Sequence, residues 1–277
     1  MTSMPTTLPS PSASSIEVFS LRFNAYGLMI ALGVVAAVWL FKKRLLAHGV
    51  GHPDDASSIA MTAVPIGIVG ARAYHVMTDW ERFEGNWFDV VKIWQGGLGI
   101  WGGIFVGVIV GILVARKRKL EVAVGLTCVA PGLALAQSIG RWGNWFNQEL
   151  FGKPTTLPWA LEISAAKAKA AGFEAGTTFH PTFLYESLGC LLICVALIKI
   201  DKRWRPQNGR LFAMYVASYT VLRFFVESLR VDTAKQFGGL RLNQWTSIFF
   251  FTAAALYLII DRVVELKPWL KKSPEKL

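Results

Sequence analysis

The hydrophobic positions of this chain follow neither the alternation of a half-buried strand nor the one-sided stripe of a surface helix. They run on in long blocks, each broken by a knot of Lys and Arg or by a short polar loop. About 20 apolar residues cross a bilayer as helix. On that measure the chain predicts about seven spans: Tyr26 to Phe41, Ser57 to Met77, Ile93 to Ala115, Val122 to Ile139, Thr182 to Ile200, Leu211 to Leu229 and Asn243 to Ile260. The expected fold class is all-α, a polytopic membrane domain over residues 21–262 with a small external head at about 150–180. Within that head a strand is predicted over Trp159 to Ile163 and a short helix over Ala165 to Ala171. Residues 1–20, rich in Thr, Ser and Pro, are expected to be a disordered tail, and 263–277 a basic one. No Lys or Arg precedes an apolar core in the first 20 residues, so they are not expected to form a cleavable signal peptide.

The polar breaks give the spans a direction. Lys42-Lys43-Arg44, the run Arg116 to Lys119, the turn holding Lys199, Lys202, Arg203, Arg205 and Arg210, and Arg262 with the Lys-rich tail all fall at alternate span ends. Positive charge marks the cytoplasmic side, which predicts an external N-terminus and a cytoplasmic C-terminus. The loop after the second span mixes Asp79, Glu81, Glu84 and Asp89 with Arg82 and Lys92, and its Trp80, Trp87 and Trp94 read as interface anchors. In the third span Gly99, Gly103, Gly107 and Gly111 recur at every fourth position, a smooth face for close helix packing.

Composition agrees: 53% of residues are hydrophobic, 17% are charged, and the mean hydropathy is +0.41. The formal charge of +11 does not point to nucleic acid, because the basic residues fall between apolar blocks rather than on one soluble face. Cys128, Cys190 and Cys194 lie inside predicted spans with no CxxC spacing, and read as packing residues.

The densest chemistry lies in Gly140 to Gly152, GRWGNWFNQELFG, where Arg141, Asn144, Asn147, Gln148 and Glu149 follow directly on an apolar helix. Such groups are expensive at a membrane and mark a site. The predicted topology brings Tyr26, Arg72, this stretch, His180, Glu186 and the segment Tyr219 to Arg230 to the same, outer half of the bilayer. On the sixth span Tyr219, Arg223 and Glu227 are spaced by four, with Arg230 three further on, so they share a face. Arginine matches phosphate through paired hydrogen bonds, which makes a phospholipid headgroup the expected ligand. No metal or cofactor is expected: His48 and His52 sit at the basic side, His75 and His180 lack ligand companions, and no Ser/His/Asp set or Walker loop is present.

These residues resemble a known family, the prolipoprotein diacylglyceryl transferases of bacterial plasma membranes. The family's pattern G-R-x-G-N-F-x-N-x-E-x-x-G is similar to Gly140 to Gly152, with Trp145 at the aromatic position. Further matches are Tyr26-Gly27, Gly70-Ala71-Arg72, His180-Pro181 with Leu184-Tyr185-Glu186, and Arg223-Phe224-Phe225-Val226-Glu227 through Arg230. Many members carry a histidine before the paired glycines of the third span, where this chain has Trp101 ahead of Gly102-Gly103.

The resemblance implies transfer of the diacylglyceryl group of phosphatidylglycerol to the lipobox cysteine of a prolipoprotein signal peptide, by a monomer in a bacterial plasma membrane. Under that mechanism Arg141 and Arg223 hold the phosphate, with Arg230 and Tyr219 beside them in the lipid site. Asn144 and Asn147 hold glycerol hydroxyls, and Gly152 lets the chain turn close to the lipid. The base lies among Glu149, Glu227, Tyr26 and His180. The alternatives are a lipid or solute transporter or flippase, which predicts charges at mid-bilayer and matching halves, and a membrane-bound lipid hydrolase.

Overall fold

The computed structural model describes residues 7–18, 21–52, 54–93 and 96–270. Trp94, residues 1–6 and the Lys-rich end at 271–277 lie outside the described residues. Seven long helices carry the chain: α1 (Ala25–His48), α2 (Asp55–Thr78), α3 (Ile100–Lys117), α4 (Val122–Gly140), then, past the short α5 (Trp142–Asn147) and α6 (Ala165–Ala170), α7 (Thr182–Trp204), α8 (Arg210–Leu229) and α9 (Leu242–Leu270). Among the described residues six stretches, α1, α2, α3, α4 with α5, α7 and the first part of α9, are long and apolar enough to cross a membrane. The sixth predicted span, α8, is a full 20-residue helix outside that set, since Tyr215, Tyr219, Arg223 and Glu227 dilute its hydropathy. The protein is thus a polytopic, all-α membrane protein.

Internal packing divides the chain into two compact units, one formed by Val38–Cys128 and the other by Met1–Ala37 with Val129–Leu277. In the smaller unit α2 and α3 pair closely. An added Cβ on Gly102 would come within 2.4 Å of the Gly70 carbonyl oxygen, and one on Gly103 within 3.2 Å of the Ala71 side chain. The glycine face of the third span therefore packs as expected, against α2. The helix itself starts later than the hydrophobic block, at Ile100, because Gly96 and Gly97 take positive φ and break the chain before it.

Arg72, placed by sequence among the converging polar groups, is a loop clamp in this unit. Its guanidinium donates to the carbonyls of Val90 at 2.8 Å, Gly96 at 2.7 Å and Gly97 at 2.9 Å, and to that of Asp89. These bonds satisfy carbonyls that no strand partners.

The larger unit contains the head. Strands β1 (Leu8–Pro9), β4 (Leu161–Glu162) and β5 (Thr178–Phe179) form a three-stranded sheet in the order β1-β4-β5. Strands β2 (Ser15–Val18) and β3 (Leu21–Asn24) form an antiparallel pair. The expectation of a disordered tail is thereby corrected for residues 8–18. Leu8 pairs with Leu161 in parallel register and packs on the head core of Phe151, Leu161, Ile163, Ala168, Phe179 and Phe183. The partial burial of Leu8 and the hydrogen bonds from its amide to the Ala160 carbonyl and from the Ser10 amide to the Glu162 carbonyl offset part of the cost of ordering the segment. The predicted head strand shrinks to two residues, and the predicted helix forms as α6, whose first turn is capped by Ser164. A second antiparallel pair, β6 (Gln236–Phe237) and β7 (Leu240–Arg241), joins α8 to α9.

Candidate active site

Every residue given a site role above lies in the larger unit. The signature stretch folds as a continuation of α4: Arg141 keeps helical angles, φ −62° and ψ −23°, and α5 follows to Asn147. The chain then turns through two left-handed residues, Gln148 at φ 51° and Leu150 at φ 59°, on either side of Glu149. Non-glycine residues pay about 1–3 kcal/mol each for such angles and hold them only where the surroundings insist. Here the surroundings do. Gln148 donates to the Pro11 carbonyl at 2.8 Å and accepts from the Ser164 amide at 2.8 Å, while the Leu150 carbonyl takes the Thr182 hydroxyl. The double turn aims Glu149 back at the helix it has just left.

Glu149 Oε1 accepts from Asn144 Nδ2 at 2.9 Å and from Asn147 Nδ2 at 3.4 Å. The amide groups expected above at the glycerol hydroxyls thus also hold this carboxylate. Asn144 is buried, and its Oδ1 accepts from Arg141 Nη1 at 3.4 Å, so one amide links the arginine to the carboxylate. Among the described residues no guanidinium or ammonium pairs with Glu149.

Arg141 meets Glu186 of α7, with Nη2 and Oε1 2.7 Å apart. The other carboxylate oxygen of Glu186 lies 3.0 Å from Arg223 Nη1, and the Tyr219 hydroxyl donates to Oε1 at 3.0 Å. Arg223 then turns its second nitrogen to Glu227 at 2.6 Å. Glu186, only 2% exposed, is the joint that brings two arginines of separate helices together. It is visible in sequence within Leu184-Tyr185-Glu186, but no spacing there announces that it pairs with both arginines.

Glu227 is fully buried, at 0%, and saturated. Besides Arg223 it receives Arg230 at 3.4 Å, Arg241 at 2.8 Å and the Asn243 amide at 3.1 Å. Glu227, named above among the base candidates, is thus engaged by three cations and an amide. Arg230 is held by Asp232 through Nε at 2.7 Å and Nη2 at 2.8 Å. Arg241, Asp232 and Asn243 are members of this network that sequence reasoning missed: Asp232 lies in the loop after α8, Arg241 ends the β6–β7 hairpin and Asn243 opens the seventh span, where no polar spacing marks them.

The structure also places Gly152, His180 and Tyr26. Gly152 makes its close approach within the chain: its amide donates to the His180 carbonyl at 2.9 Å and it bridges to Arg230, while an added Cβ would come within 2.8 Å of the His180 side chain. His180 stands apart from the arginines, its Nδ1 3.1 Å from the Tyr185 hydroxyl, which also receives Trp159 Nε1 at 2.9 Å. Tyr26 lays its ring on Gly143, where a Cβ would come within 2.6 Å of it.

Between these groups lies a narrow cavity lined by Arg141, Asn144, Leu150, Glu186, Val226 and Arg230 among others, with a volume of about 10 Å3, room for a single water.

Fold and site together define a polytopic helical membrane protein that gathers buried arginine–carboxylate pairs around a small cavity. Comparison with known proteins gives the same class a family. The chain belongs to the prolipoprotein diacylglyceryl transferase family, whose sequence profile it matches over residues 12–260. It is 48% identical over 258 residues to the phosphatidylglycerol–prolipoprotein diacylglyceryl transferase 1 of Streptomyces coelicolor, covering 92% of this chain and 74% of that protein. It is 46% identical over 257 residues to the Streptomyces griseus enzyme, covering 92% and 77%. With the Frankia alni enzyme it shares 48% identity over 258 residues, covering 92% and 67%.

Proposed function

We propose that this protein transfers the diacylglyceryl group of phosphatidylglycerol to the lipobox cysteine thiol of a prolipoprotein, forming a thioether and releasing glycerol phosphate. The observation that carries the reading is the clamp of Arg141 and Arg223 on Glu186, which leaves Arg141 lining the cavity with one carboxylate contact only. Family membership and the names of the relatives support the same activity and remove the basis of the transporter alternative.

The step is a displacement at carbon. The cysteine sulfur forms a C–S bond to the glyceryl carbon, the C–O bond to phosphate breaks, and the electron pair leaves with glycerol phosphate. Arg141 and Arg230, which both line the cavity, meet the charge that grows on the leaving oxygen. A fixed donor at such a point is worth about 3 kcal/mol. Arg223 has its terminal nitrogens on Glu186 and Glu227, so it acts by holding the cluster together. The thiol proton passes to Glu149, the carboxylate at this site without a cation on it, while the neighbouring positive charges favour the thiolate.

The acyl chains remain in the membrane beyond the cavity. Basic ends of α1, α3 and α7 support an external N-terminus, a cytoplasmic C-terminus and a site toward the outer leaflet of a bacterial plasma membrane. All assigned residues belong to one unit of one chain, which supports action as a monomer.

The test is glycerol phosphate release from phosphatidylglycerol in reconstituted vesicles, with and without a lipobox peptide. Release only with peptide, together with lipidated peptide, is the expected result. Release without peptide identifies a hydrolase, and no release with either overturns the proposal.

A further inference from the structure

Arg241 does not line the cavity, yet it is bound to Arg230, which does, and to the carboxylates Glu227 and Asp232. It is buried, at 8% exposure. Its Nε lies 2.8 Å from Glu227 Oε1, its Nη2 2.9 Å from Asp232 Oδ2, and its Nη1 donates to the Arg230 carbonyl at 2.9 Å. The ion-paired set consists of four arginines, Arg141, Arg223, Arg230 and Arg241, and three carboxylates, Glu186, Glu227 and Asp232. One positive charge is therefore in surplus. The pairing also places it: Arg223, Arg230 and Arg241 each touch two of these carboxylates, and Arg141 touches one. Glu149 lies outside the set, reached from Arg141 only through Asn144.

We propose that Arg241 is a positioning residue for headgroup binding, and that it supplies the surplus positive charge which the cluster presents to an anionic phosphate at Arg141. By neutralising Glu227 and Asp232 it keeps those carboxylates from drawing on Arg223 and Arg230. Glu186 alone then remains for Arg141. In a water-poor site this charge is weakly screened, so the loss of one unit a few residues away is felt in the cavity.

The inference rests on phosphatidylglycerol being the substrate, so each purified variant is tested twice, by transfer kinetics and by direct titration with glycerol phosphate. Arg241→Met makes the set neutral, and the KM for phosphatidylglycerol rises about tenfold, with kcat changed by less than about threefold. Adding Asp232→Asn restores the surplus of one, and the KM of the double variant returns to within about threefold of the parent although it has lost more hydrogen bonds. Arg241→Lys keeps the charge without the fork and behaves like the double variant, which provides a second arm if the Met variant folds poorly. Glycerol phosphate affinity follows the same order. A double variant as poor as Arg241→Met, or a Lys variant no better than Met, overturns the proposal and leaves Arg241 a structural brace. If no variant and no parent transfers, but glycerol phosphate binding still follows charge, the activity is refuted and the role of Arg241 stands.

Discussion

Arg141 and Glu186 lie 2.7 Å apart at the meeting of two helices distant in sequence, and Glu186 is almost wholly buried between its arginines. Breaking a buried pair costs about 3–5 kcal/mol because the remaining charge has lost its partner. Glu186→Gln should lower stability by about 3 kcal/mol and transfer by on the order of 100-fold. Arg141→Lys should leave the melting temperature nearly unchanged, since an ammonium still pairs with Glu186, yet lower transfer on the order of 100-fold through loss of the fork. Thermal melts and vesicle assays on both variants check this, and near-normal turnover by the Lys variant would remove Arg141 from the phosphate.

Glu149 is held by two amides at 2.9 and 3.4 Å in a turn that pays backbone strain to place it. Glu149→Gln preserves shape and removes the proton acceptor, so kcat should fall about 100-fold or more with the KM for phosphatidylglycerol little changed. Trp101→His, which places a histidine where many family members have one, should give no gain in rate. A faster Trp101→His enzyme would shift the base away from Glu149.

Close helix contact in the smaller unit gives a stability contrast. Gly102→Ala should destabilise by about 1–3 kcal/mol, because the added carbon meets the Gly70 carbonyl oxygen at 2.4 Å. Gly27→Ala, in α1 with nothing within 4 Å of the added carbon, should be neutral or gain about 1 kcal/mol of helix propensity. Unfolding of both variants in detergent is the measurement, and equal stabilities would argue against the α2–α3 contact.

Asp232 gives a pH dependence. Burial pushes its carboxyl up, but the Arg230 hydrogen bonds and the charges of Arg230 and Arg241 outweigh that and hold it below the usual range. A depressed folded value means that its stabilising effect is complete above the unfolded carboxylate value, about 3.9, and is lost as pH falls through the folded one. Asp232→Asn should therefore melt below the parent at neutral pH, and the gap should close in acid below about pH 4. A gap that stays constant into acid would contradict the pairing.

Much of this protein was set by its sequence alone. Long apolar blocks can satisfy their backbone in a membrane only as helices, so the all-α architecture, the glycine face of α3 and the short head elements were readable from local pattern. The cluster from Arg141 to Glu149, with Arg223 and Glu227, was readable because charge at a membrane is costly enough to be kept only for use. Tertiary structure decided the pairing. Which carboxylate each arginine takes depends on where α7, α8 and the β6–β7 hairpin come together, and no spacing within one helix encodes that. It therefore fell to the fold to make Glu186 the joint, to bury Glu227 beneath three cations, to bring in Asp232 from the loop after α8 and Arg241 from the β6–β7 hairpin, and to leave Glu149 on amides alone. The same is true of Leu8: a polar, proline-rich segment reads as tail until the core it completes exists, because the burial that orders it comes from residues about 150 positions away.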